Sequence, residues 1–143
     1  MELKKKEEES KENSLTNLAF KILSEKGIDD VDLSMFGDKS KEIYEKYGDK
    51  FMKQEGMVSM VITVKSFIKA NKFEKAKIKL LKEGSRAIKE KEYNYALLCY
   101  NLLGDSSMIN FLLSNNFEAK DSNIDYNELY QNMLSYIKPG IFS

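Results

Sequence analysis

The chain has 143 residues, close to the commonest domain size, so one domain that buries about 70% of its unfolded surface is expected. Its 42% apolar and 32% charged residues suit a globular chain, and a single cysteine, Cys99, excludes an intrachain disulfide and fits a reducing compartment. With 23 basic and 23 acidic residues, no histidine and no apolar run of membrane length, the composition argues against a membrane partner, a histidine-based catalytic centre and a thiolate zinc site.

Pro139 is the only proline, so nothing interrupts helices before it. Apolar residues recur at helical rather than alternating spacing, and the fold class is read as all-α, antiparallel helix hairpins forming a short irregular bundle of about seven helices. Residues 1–13 form a run of Lys and Glu without the apolar core of a secretory signal. They read as a charged, disordered arm ahead of a single helical domain over 14–143, with a cytoplasmic location expected. The first helix is expected over Ser14–Lys26, capped by Ser14, with Leu15, Leu18, Ala19 and Ile22 as its apolar stripe and Gly27 as its stop. A loop with Asp29, Asp30 and Asp32 follows, then a helix over Lys39–Gln54 with a break expected at Gly48. Helices are expected at 56–70, 72–89 and 93–103, the last stopped by Gly104. A sixth starts at a Ser106 cap, and a seventh at Asp125 with Glu128 completing a capping box.

Phe67, Asn71 and Ala76 occupy the places of an end-of-helix aromatic, a polar turn and a small residue at a helix crossing. Gly84, Ala96 and Tyr100 repeat that pattern in the next segment. Together they make the segments Phe67–Leu80 and Ala87–Tyr100 resemble the tetratricopeptide repeat. The resemblance covers about half the chain. It implies a right-handed array of hairpins that holds a partner peptide or helix on a helical face. Ala76 and Ala96 stand 20 positions apart, whereas that family recurs at about 34. The helix over 72–89 would then be shared by two hairpins.

Chemistry-bearing motifs are absent from the sequence. No glycine loop fits a phosphate-binding pattern, and no cofactor or metal is expected. From Asp30, ligand-type residues fall at the first, third and fifth places of a calcium loop, but Met35 takes the glycine place and Lys41 the terminal glutamate place, which excludes an EF-hand. The acidic loop reads as solvated and Cys99 as a packing residue. The chain is expected not to be an enzyme.

Charge is unevenly spread. Residues 1–64 hold 11 basic and 14 acidic residues, a net of −3; residues 65–91 hold 10 and 3, a net of +7; residues 92–143 hold 2 and 6, a net of −4. On a helical wheel Lys72, Lys75, Lys79, Lys82, Arg86 and Lys89 fall within about 100° of one another. Such a stripe costs on the order of 1–2 kcal/mol in like-charge repulsion. It is either solvated, neutralised by the acidic C-terminal part, or matched by an anionic partner. The leading reading is a protein–protein interaction or scaffold module that takes a partner peptide or helix, an acidic one among the options, through this face. The alternatives are nucleic-acid binding by the same cations and a structural role in a homo- or hetero-oligomer.

Overall fold

The computed structural model describes the backbone of residues 2–142 and the side chains of residues 13–142. Seven helices and no strand make up the described residues: α1 (Glu2–Lys26), α2 (Lys39–Phe51), α3 (Met57–Lys69), α4 (Phe73–Lys89), α5 (Tyr93–Leu103), α6 (Ser106–Ser114) and α7 (Asn127–Leu134). Two 3-10 turns, Ile28–Asp30 and Ser34–Phe36, lie between α1 and α2. From α2 to α6 each helix packs on the next, and α7 returns to lie against α5.

Three successive helix ends share one device. Asn71, Lys91 and Gly104 follow α3, α4 and α5 with φ of 58°, 62° and 70°. In each case the next amide reaches back to the last turn: Lys72 N to Phe67 O at 2.7 Å, Glu92 N to Ala87 O at 2.8 Å, and Asp105 N to Tyr100 O at 3.1 Å. These left-handed closures satisfy orphan carbonyls and turn the chain back sharply, which sets the antiparallel hairpins. Asn and Gly accept that conformation at little cost; Lys91 does not, and its turn is held by the packing around it.

The helices cross closely where a side chain is missing. A Cβ built on Gly48 of α2 would stand 2.7 Å from Phe67 Cε1 of α3. One on Gly84 of α4 would stand 3.0 Å from the Tyr100 ring of α5. Gly48 was expected to break α2, but the helix runs through it because the buried Phe67 ring fills the space above its backbone. Phe67, Leu80, Tyr95, Cys99 and Met133 centre the core of α3 to α7. Leu23, Leu33, Tyr47 and Ala70 centre a second cluster under α1 and α2.

Several local expectations are corrected. α1 begins at Glu2, so residues 2–13, expected as a disordered arm, extend it, and Ser14 lies within the helix and caps nothing. Lys and Glu are strong helix formers and recur in that segment at i,i+4 spacing. Within α1, Ala19 and Leu23 are buried, whereas Leu15 and Leu18, expected on the inner stripe, are 45% and 51% exposed. The cap of α6 is Asp105, whose carboxylate accepts from Met108 N at 3.1 Å, and not Ser106. The expected box at α7 does not close; Asp125 instead accepts from Asn127 N at 2.9 Å in a local turn.

Gly48→Ala is expected to destabilise the chain by about 1 kcal/mol, because overpacking by about 1–3 kcal/mol outweighs the helix-propensity gain of about 1 kcal/mol. Phe67→Leu in the same chain should recover part of that loss. Urea denaturation of the two single variants and the double variant checks both.

Candidate functional site

α4 buries Ala76, Leu80, Gly84 and Ala87, and with them Lys79 and Glu83; of the six cations read from the sequence, five lie on the helix and Lys72 just before it. The six do share a face, but they do not form an open cationic surface. Lys75 pairs with Glu45 at 2.7 Å and Asp49 at 3.0 Å, both on α2, and Lys72 lies 3.9 Å from Glu45. Arg86 engages Glu83 at 3.0 Å, Glu90 at 2.7 Å and Glu92 at 3.2 Å. Apart from Glu92, the counterions come from α2 and from the α4 segment itself, and not from the acidic C-terminal part. Lys82 and Lys89 are exposed, with no ion pair among the described residues.

Lys79 departs furthest from expectation. It is 2% exposed, which removes it from any partner-facing surface. Its ammonium donates to Met52 O at 2.9 Å, Gln54 O at 2.5 Å and Phe51 O at 3.4 Å. Those carbonyls lie at and just beyond the end of α2, where peptide dipoles concentrate negative charge and carbonyls lack helical partners. Lys79 is therefore a cap for α2 supplied from α4. Burial lowers its pKa, and Glu83 one turn on works against that shift.

Glu83 holds the other side of the same turn. The side chain accepts from Gly56 N at 2.9 Å, Tyr95 Oη at 2.8 Å, Arg86 Nε at 3.0 Å and Arg86 Nη2 at 3.2 Å. Burial alone would raise its pKa; these donors, Arg86 foremost, outweigh it and hold the carboxyl below its ordinary value. Cys99 is fully buried, as expected, and burial followed by the nearby Glu83 charge pushes its thiol up to about 12. The thiolate needed for nucleophilic chemistry is thereby suppressed.

A third buried charge ties the two core clusters. Lys65 of α3 donates to Asp29 Oδ1 at 3.0 Å and to Asn132 Oδ1 at 2.7 Å, and Tyr136 donates its hydroxyl to Asp29. The Tyr136 hydrogen bond, with Lys65 behind it, holds Asp29 below the usual carboxylate range. Asp29 is thus an anchor and not merely a solvated loop residue. Lys65 carried a signal in the sequence, since it stands among apolar residues on a helix with no charge other than Lys69.

The surface these ties leave available lies between α5 and α7. Asp121 builds it. The carboxylate, 4% exposed, accepts from Asn94 N at 3.1 Å and Tyr95 N at 2.9 Å, capping α5 from a distant loop, and from the Tyr126 hydroxyl at 3.2 Å. Lys120 N bonds Lys91 O at 2.8 Å, and Phe117 stacks on Tyr93 with centroids 4.3 Å apart. These contacts hold the α6–α7 loop across from α5. Asn94, Leu97 and Asn101, three to four residues apart, form one wall of the resulting cleft, and Ile124, Tyr126 and Tyr130 the other. Its volume is about 510 Å³, and Asn101 and Tyr130 also line a second hollow of about 430 Å³, to which Lys138 contributes. The Asn101 carboxamide and the Tyr130 hydroxyl have no hydrogen-bond partner among the described residues. Sequence reasoning missed this cleft, because Asp121 acts across 27 positions on a helix end that shows no local cap.

No helix among the described residues is long and apolar enough to cross a membrane. No family model matches the chain, and comparisons with curated proteins and with solved structures find no match.

The stripe thus divides into structural and free members, and stability separates them. Lys79→Met keeps the packed stem but takes the donor from Met52 O, leaving Phe51 O and Gln54 O to the Ser59 hydroxyl, and is expected to cost about 1–3 kcal/mol. Lys82→Met should change stability by less than about 0.5 kcal/mol. Equal effects in thermal or urea unfolding would contradict the division.

Proposed function

We propose that this chain is a non-catalytic interaction module whose α5–α7 cleft holds an extended segment of a partner protein. The observation that carries this reading is the pairing of free hydrogen-bonding groups, Asn101 and Tyr130, with an apolar wall at Leu97 in one continuous cleft. A carboxamide both donates and accepts, which matches the unpaired N–H and C=O groups of an extended main chain. The face of α5 from Asn94 to Gly104 spans about 15 Å at 1.5 Å per residue, room for about four or five extended residues. The likeness of Phe67–Leu80 and Ala87–Tyr100 to tetratricopeptide hairpins points the same way, since such arrays hold peptides on helical faces.

This reading moves the site away from the α4 stripe. Six cations set against Glu45, Asp49, Glu83, Glu90 and Glu92 leave little net charge for an acidic peptide or a nucleic-acid backbone. Nucleic-acid recognition needs an uncompensated basic face, and the α4 face is largely compensated.

Panning a random peptide library against the full chain tests the proposal. Enrichment of a shared motif is expected, with its binding weakened at least about tenfold by Asn101→Ala or Leu97→Lys and unchanged by Lys82→Ala. Failure to enrich any motif, or enriched peptides indifferent to the cleft substitutions, contradicts it.

A further inference from the structure

The cleft is asymmetric in charge. At the end formed by the start of α7, Asp125 is its only ionised lining residue, and Glu128 joins Asp125 and Tyr126 in the adjoining hollow. No basic residue lines the cleft or that hollow, and Lys138 lines only the second hollow, which shares Asn101 and Tyr130 with the cleft. Asp125 and Glu128 are both exposed, and Asn127 N donates to Asp125 Oδ1 at 2.9 Å. Half-buried Tyr126 stands beside them, its hydroxyl committed to Asp121. Two carboxylates beside an aromatic ring suit a Lys or Arg side chain, which lays its methylene stem on the ring and its charge on the acids.

We infer that the occupant of the α5–α7 cleft is a basic extended peptide of about four or five residues, with a Lys or Arg seated against Asp125, Glu128 and Tyr126. This rests on the interaction reading above and adds the chemistry of the partner. It reverses the expectation drawn from the α4 stripe, because the charge at this end of the cleft is acidic, whereas Lys75, Lys79 and Arg86 of the stripe are engaged within the fold.

Fluorescein-labelled eight-residue peptide pools with blocked termini, carrying two Lys or Arg, no charge, or two Asp or Glu, are titrated against the full chain by anisotropy. The basic pool is expected to bind at least about fivefold tighter than the acidic pool, the scale of one to two exposed ion pairs. The preference should shrink between low and high salt. Asp125→Asn with Glu128→Gln should abolish it, and Asp125→Lys with Glu128→Lys should invert it. Asn101→Ala should weaken all pools alike. Equal or tighter binding of the acidic pool, or an order indifferent to the α7 substitutions, overturns the charge assignment. If Asn101→Ala still weakens binding in that case, the interaction reading survives without it. If no pool binds, both fall. Circular dichroism on each variant excludes unfolding as the cause, and the neutral pair leaves α7 without the repulsion of added cations at its N-terminus.

Discussion

Lys79 and Glu83, one turn apart on α4, hold the turn between α2 and α3 from both sides. The ammonium takes the carbonyls at the end of α2, and the carboxylate takes Gly56 N at the start of α3. Two buried charges with no other partners would be costly, since each loses its hydration. Here the donors and acceptors nearly saturate both groups, and the peptide dipoles at the end of α2 supply the counter-charge that Lys79 needs. Tyr95 brings α5 into the same network, and Arg86 carries it to Glu90 and Glu92 at the turn between α4 and α5. The helices on both sides of α4 are therefore positioned by polar groups as well as by the apolar core.

That arrangement explains why a helix with so many cations presents so little free charge. Lys75 faces α2, Arg86 faces its own turn, and Lys79 is inside. Chain order helps: each hairpin ends in a left-handed closure at Asn71, Lys91 or Gly104, so acidic residues of neighbouring segments are brought beside α4. The same geometry leaves α5 covered by α4 and α6 and reached by the α6–α7 loop, which Asp121 draws across its N-terminus. The cleft follows from that cap, because removing Asp121 would free both Tyr126 and the first turn of α5.

Much of the fold was legible in the sequence. Helical spacing located all seven helices, and Tyr93–Leu103 is matched to the residue. Glycines at 27 and 104 ended helices as turn chemistry requires. Gly48 was misread because its role is set by Phe67, and nothing local to Gly48 records that a ring will lie on it. Ser106 and Asp125 were misassigned for a related reason: several side chains near each helix start can cap it, and packing chooses among them. The cationic stripe was legible as a pattern and not as a site. Periodicity places Lys79 on a face, but only the end of α2 reveals that this face is partly interior. Asp121 had no sequence signal, being one acid in a polar loop whose partner amides lie in another helix.

Amide hydrogen exchange at Gly56 tests the central claim most directly. Gly56 sits at a turn, where backbone amides ordinarily exchange through small local openings. Its bond to the buried Glu83 predicts protection close to that of the core amides of α3 and α4, lost selectively in Glu83→Met, which removes the acceptor, while α6 keeps its own protection. Exchange at Gly56 as fast as at the exposed loop amides of the same chain would contradict the network on which the helix arrangement is argued to depend.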